Sequence, residues 1–195
     1  IITFNHPDYP ARLHSIEDKP MVLYAKGNIH SHIKKTLSII GTRKSTEYGA
    51  KFLEEFFEEI KGFKDIAIVS GLAMGIDYKA HKLSLKNELP TVAVMGVSLH
   101  SIYPAYHRVL AEDILNSDGG WITETSSQDY INQGVFPKRN RIIAGMSDAM
   151  FVVETNTKGG SMITANLGND YNRDVFALPG RVNDSASKGC NQLIQ

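Results

Sequence analysis

Three cations stand in four positions in Phe136-Pro137-Lys138-Arg139-Asn140-Arg141, beside an aromatic ring and an amide. That composition suits a nucleic-acid strand, with its backbone on the cations and a base on the ring. It suits equally a solvated surface turn that pairs with nearby carboxylates. Ile142, Ile143 and Met146 follow at helical spacing, which predicts the cations in the first turn of a helix. Exposed cations there oppose the helix dipole at about 0.3–1 kcal/mol each. A sequence that keeps three of them gains something in return or leaves them in solvent. A helix N-terminus also adds phosphate contacts of its own.

Three Gly- and hydroxyl-rich turns supply further phosphate chemistry. Gly41-Thr42-Arg43-Lys44-Ser45 follows the apolar run Leu37–Ile40. Ser70-Gly71-Leu72-Ala73-Met74-Gly75 follows Ile66–Val69, and Thr157-Lys158-Gly159-Gly160-Ser161 follows Met150–Val153. Such turns point free backbone N–H groups outward, and the dipole of the helix they open adds partial positive charge. Each alone is also an ordinary tight turn. Three converging on one edge, one of them carrying Arg43, favour a phosphate site. None holds the G-x-G-x-x-G dinucleotide fingerprint or the G-K-[ST] of a P-loop, so NAD binding and ATP hydrolysis lose support.

Other candidates are weaker. Asp77 and His81 stand four apart on a helix, as an acid/base pair or as a cap and a satisfied side chain. Asp77 is placed to accept backbone N–H groups of the preceding turn. Glu124 and Glu154 end strands at the ligand edge, where a carboxylate holds a sugar hydroxyl or positions a cation such as Arg43. His30 and His32 have no third and fourth ligand at zinc spacing, so no metal is expected, and no cofactor either. Cys190 has no activating neighbours and reads as a small buried residue.

The elements that must position these groups are short and alternate. Leu37–Ile40, Ile66–Val69, Thr91–Met95, Trp121–Thr123, Met150–Val153 and Val175–Leu178 read as strands buried on both faces. Phe52, Leu53, Phe56, Phe57 and Ile60 make one face of a helix between the first two, and residues 75–87, 105–116, 139–146 and 161–171 predict further helices. Alternation of this kind gives an α/β fold, a mostly parallel sheet with helices on both faces. Ligands of such sheets bind beyond the carboxyl ends of the strands. Residues 1–36, with Pro7, Pro10 and Pro20 and one strand at Met21–Ala25, read as an N-terminal leader on a core of residues 37–195, its strand extending the sheet.

Composition sets the outer bounds. Lysine plus arginine is 21 and aspartate plus glutamate is 21, so a protein basic all over is excluded and any polyanion site must be local. The single cysteine allows no internal disulfide, which fits a reducing cytoplasm. No apolar run approaches the roughly 20 residues of a spanning helix, and no signal peptide is present, so no membrane association is expected.

A series of motifs in order resembles the DNA-processing protein A (DprA, or Smf) family. They begin at Tyr9-Pro10 and the "PMVLYAKG" of Pro20–Gly27, and pass through Ile40-Gly41-Thr42-Arg43 and "SGLAMGIDYKAH" at Ser70–His81 to Tyr103-Pro104. "FPKRNRIIAG" at Phe136–Gly145 is the most specific, followed by "GGSMITA" at Gly159–Ala165, "VFALPG" at Val175–Gly180 and "GCNQLI" at Gly189–Ile194. The chain departs from the family pattern at Gly96–His100 and at Thr123-Glu124. The resemblance implies an extended Rossmann-like domain and a recombination mediator of natural transformation. It implies a bacterial cytoplasmic homodimer that binds single-stranded DNA more tightly than double-stranded DNA, protects incoming strands and helps load the RecA recombinase. Carried over, the DNA-binding residues are Gly41, Thr42, Arg43, Ser70, Gly71, Ala73, Gly75, Phe136, Lys138, Arg139, Asn140, Arg141, Gly159, Gly160, Ser161 and Thr164. The rival reading is a Rossmann-like nucleotide phosphoribohydrolase of the "lonely guy" type, whose Gly-Gly turn is followed by a catalytic glutamate. Here Gly159-Gly160 is followed by no carboxylate until Asp170, which favours a binder without enzymatic activity. A pure dimerisation scaffold leaves the cationic segment without a role.

Overall fold

The β-branched runs of this chain form the strands their composition predicts, and the computed structural model describes them within residues 1–63, 65–128 and 134–195. The strands are β1 (Ile2–Thr3), β2 (Val22–Gly27), β3 (Lys35–Ile40), β4 (Ile66–Ser70), β5 (Thr91–Val94), β6 (Gly120–Thr123), β7 (Ala149–Val152) and β8 (Asp174–Ala177). The helices are α1 (Glu47–Ile60), α2 (Ile76–Lys86), α3 (Arg108–Asn116), α4 (Val135–Met146), α5 (Gly160–Asp170) and α6 (Lys188–Ile194). Among the described residues no helix is long and apolar enough to cross a membrane.

One sheet runs in the order β1-β2-β6-β5-β4-β3-β7-β8. Strands β3 to β8 are parallel throughout. The antiparallel β2 extends them beyond β6, with Tyr24 opposite Thr123 and Gly27 opposite Gly120. The chain winds outward from β3 through β4 and β5 to β6, then crosses back to β7 on the other side of β3. That reversal leaves a crevice between the carboxyl ends of β3 and β7, the place where open α/β sheets take their ligands. Ile40 pairs with Val152 there, so the loops after both strands leave the sheet side by side.

Helix α1 packs as its period requires. Leu53 and Phe57 are fully buried, Phe52 and Phe56 stack on Phe151 of β7 at 5.2 and 5.6 Å, and Glu54, Glu55 and Glu58 face solvent. On the opposite sheet face Tyr9, Leu13, Ile16 and Leu23 share a core with Ile142, Ile143 and Met146 of α4. Gly145 makes this approach possible, since a Cβ there would lie 2.7 Å from both Ile16 Cδ1 and Leu13 Cδ2. The segment is tied further by Arg12, whose Nη2 sits 2.6 Å from Asp148 Oδ2, and by Arg173, which donates to the carbonyls of Arg12 and Gly145. Helix α4, which carries the cationic motif, is thereby held from both ends of the chain.

Candidate nucleic-acid interface

The crevice at the sheet reversal is a cleft of about 240 Å³. Its walls are the β3–α1 loop with Gly41, Thr42 and Arg43, the loop from Thr155 to Ser161, and α4 with Phe136, Pro137, Asn140 and Ile143. The β3–α1 loop is pinned from both sides. Thr42 N–H donates to Glu154 O at 2.6 Å, and Ile76 N–H donates to Thr42 O at 3.1 Å. Gly41 permits this packing, because a Cβ there would lie 2.6 Å from Ile76 Cγ1. Arg43 projects from this fixed base and is exposed.

Across the cleft, α5 begins at Gly160 with no side-chain cap and no acid in its first turn. Met162 N–H already donates to Gly159 O at 3.0 Å, which leaves the Gly160 and Ser161 amides at the start of the helix, and the dipole makes that end electropositive. A Cβ on Gly160 would meet nothing within 4 Å, so the terminus is open to a large anion. Thr164 Oγ1 turns back to Gly160 O at 3.2 Å, and Ser161 Oγ donates to Thr155 Oγ1 at 2.7 Å. Both hydroxyls therefore shape the terminus rather than reach out of it. An adjoining recess of about 230 Å³ shares Arg43, Ala73, Phe136 and Arg139 and adds Met74, Tyr103 and Tyr106. The Phe136 and Tyr103 rings lie 5.1 Å apart, and Tyr106 is 65% exposed, so flat apolar surface stands beside the cation.

The cationic motif is organised differently from the expectation. Helix α4 starts at Val135, so Lys138, Arg139 and Arg141 fall at its fourth, fifth and seventh positions, beyond the first turn. Pro137 sits third, where the missing N–H costs nothing. Arg139 is buried, with Nη1 donating to Gly71 O at 2.6 Å and to Val94 O. Burial pushes its pKa down to about 10, with Asp77 opposing the shift, so it stays a cation at neutral pH. Arg141 is buried too, and its Nη2 donates to both Glu124 oxygens, at 2.6 and 2.7 Å. Lys138 remains 64% exposed, with Nζ 3.3 Å from Glu124 Oε2. Of the four cations expected on DNA, Arg43 alone pairs with no carboxylate and donates to no carbonyl among the described residues.

Backbone amides of the Ser70–Gly75 turn are engaged within the protein, while Gly71, Ala73 and Met74 line the adjoining recess. Gly71 and Ala73 donate their N–H groups to Asp77 Oδ2 at 3.2 and 3.4 Å, which leaves neither for a phosphate. Ser70 is buried and donates to Ile39 O at 2.6 Å. Gly75 adopts φ +74°, and a Cβ there would lie 2.2 Å from Thr42 O. Of this turn only Ala73 lines the cleft. Asp77 thus caps the turn, with its pKa raised by desolvation against the pull of Arg139. Glu154 accepts from Thr46 N–H at 2.8 Å and from its hydroxyl, and so anchors α1 rather than Arg43. Glu124 holds Arg141 and Lys138. Cys190 is buried, and desolvation pushes its thiol up to about 11.

His81 is no partner to Asp77. Its Nδ1 lies 2.7 Å from Thr91 Oγ1, and burial pushes its pKa down to about 3. The unfolded chain takes up this proton near the ordinary value of 6.5, and the folded chain only near 3. Stability is therefore lost as pH falls through that window, by at most about 1.4 kcal/mol per pH unit. The urea midpoint is expected to drop between pH 7 and 5, and less steeply in His81→Gln. Equal slopes in the two proteins would show that the folded imidazole takes up its proton freely.

The profile of the family described as DNA recombination-mediator protein A matches residues 1–195. The chain belongs to this DNA recombination-mediator family. Its relatives include a Synechocystis Smf protein, 39% identical over 99% of this chain and 49% of its own length. A Bacillus subtilis DprA is 38% identical over 100% of this chain and 65% of its own length. The chain thus spans between about half and two thirds of the curated relatives it matches. Among solved structures, Streptococcus pneumoniae DprA superposes with a TM-score of 0.90 at 34% identity, covering 100% of this chain and 68% of that one. Helicobacter pylori DprA superposes with 0.84 at 29% identity, covering 95% and 84%, and that protein is described as binding single-stranded DNA in a unique mode. A molybdenum cofactor binding protein of Rippkaea orientalis shares the fold alone, at 14% identity and a TM-score of 0.56 over 84% and 83% of the two chains. The extended Rossmann-like fold of the DprA family is therefore the fold of this chain.

Proposed function

We propose that the chain binds single-stranded DNA without regard to sequence, as a recombination mediator with no enzymatic activity of its own. In this reading it protects incoming strands during natural transformation and helps load the RecA recombinase, as a homodimer in the bacterial cytoplasm. The observation that carries the binding is the unpaired Arg43, which faces the open N-terminus of α5 across the switch-point cleft. A guanidinium and a row of amides suit phosphate oxygens, and Phe136 with Tyr103 offers a base its face. Charge, amides and rings are satisfied by any nucleotide, so base identity has little to act on.

The nucleotide hydrolase reading lacks a free acid or base. Asp77, the one carboxylate in the cleft lining among the described residues, is committed to Gly71, Ala73 and the Arg139 charge. Filter binding with single- and double-stranded oligonucleotides at two salt concentrations tests the proposal. Single strands of any sequence are expected to bind more tightly, with a log–log salt slope of about −0.7 per phosphate engaged. Equal, salt-insensitive retention of both would overturn it. So would release of base from AMP at about 1 per second or faster.

A further inference from the structure

No residue of α6 lines the cleft, yet α6 is bonded directly to the loop that does. Gly189 N–H donates to Thr155 O at 2.9 Å. Thr155 in turn receives the Ser161 hydroxyl at 2.7 Å, and Ser161 is the second residue of α5. One continuous relay therefore runs from α6 to the electropositive terminus. The approach is close enough to require glycine: a Cβ on Gly189 would lie 2.6 Å from Asn156 O and 2.6 Å from Thr155 Cγ2. The far side of α6 is fastened as well. Asn191 accepts from Gly180 N–H and donates to Gly180 O, both at 3.0 Å, which clips the turn after β8.

We infer that α6 is a positioning element for the nucleic-acid cleft: Gly189 sets the Thr155–Ser161 loop, and through it the aim of the α5 amides. The inference rests on the single-strand reading above and adds residues to it that no strand touches. Alanine is the better helix former, so Gly189→Ala does not weaken α6 itself. Its Cβ displaces backbone of the loop instead, and a phosphate held by preorganised amides is sensitive to such a shift.

The test is a pair of double-mutant cycles read by single-strand affinity, with thermal melting to confirm the fold. Gly189→Ala is expected to weaken binding about fivefold to tenfold. In the Gly160→Ala background, where a methyl already occupies the open approach to the amides, the further loss shrinks to under twofold. In the Arg43→Ala background the full loss returns, because Arg43 sits on the other wall. Asn191→Ala repeats the cycles should Gly189→Ala fail to fold. Amide resonances of Gly160 and Ser161 without DNA give a second readout, expected to shift in either α6 variant. Additive losses in both cycles, or unmoved resonances, overturn the inference. A wild type that ignores single strands, with resonances that still move, overturns the functional reading alone.

Discussion

Arg43→Ala is expected to weaken single-strand binding about tenfold to a hundredfold, the range for one charge-assisted contact of about 1.5–3 kcal/mol. Arg43 is singled out by what the other cations are doing. Arg139 spends its fork on Gly71 and Val94, Arg141 spends its own on Glu124, and Lys138 shares that carboxylate. With formal net charge zero, no diffuse field replaces the missing guanidinium. The salt slope should flatten by about 0.7, one phosphate's share. The loss should be the same for purine and pyrimidine oligomers, since a phosphate contact carries no sequence information. Lys138→Ala is expected to cost much less, because Glu124 already offsets its charge. Arg43→Ala removes no hydrogen bond or ion pair seen among the described residues, so its melting temperature should match wild type. Arg43→Ala with wild-type affinity and slope would move the site elsewhere.

Much of this was legible in the residues. Short β-branched runs and a period of 3.6 predict the strands and helices, and the alternation of the two predicts that the turns after β3 and β7 share an edge. What single-residue reading missed is which way each polar group turns. Arg139 stands three, four and seven positions before Ile142, Ile143 and Met146, on the same helical face, so the period that defines α4 also points Arg139 inward. Reading charge before period places it in solvent. The Ser70–Gly75 turn fails for a related reason. Asp77 takes the N–H groups of Gly71 and Ala73, as its position after the turn predicts, and the same two amides cannot also serve a phosphate. Thr155 and Asn156 escape sequence reading because neither type stands out beside the Gly-Gly that follows, yet both line the cleft.

Arg139→Ala should act on stability, by about 3–5 kcal/mol, because it leaves two buried carbonyls without their donor and a buried carboxylate without a nearby positive charge. That is a large part of the roughly 5–15 kcal/mol that holds a domain folded. Three losses combine. The carbonyls of Gly71 and Val94 lose their donor, Asp77 loses the charge that offsets its desolvation, and the space beneath Gly71 empties. Arg139→Lys keeps the charge without the fork and should recover only part. Replacing both charged groups, Asp77→Asn with Arg139→Met, should be less harmful than Arg139→Ala alone, because no buried charge is left uncompensated. The deficit of Arg139→Ala should narrow as pH falls. A carboxyl whose folded pKa is raised binds its proton more tightly in the folded chain, and a protonated Asp77 needs no counter-charge. Urea titrations of the four proteins at pH 7 and pH 5 measure each difference. At temperatures where Arg139→Ala remains folded, its single-strand salt slope should equal that of wild type. An Arg139→Ala protein as stable as wild type, with a flattened slope, would put this guanidinium on the strand instead of beneath it.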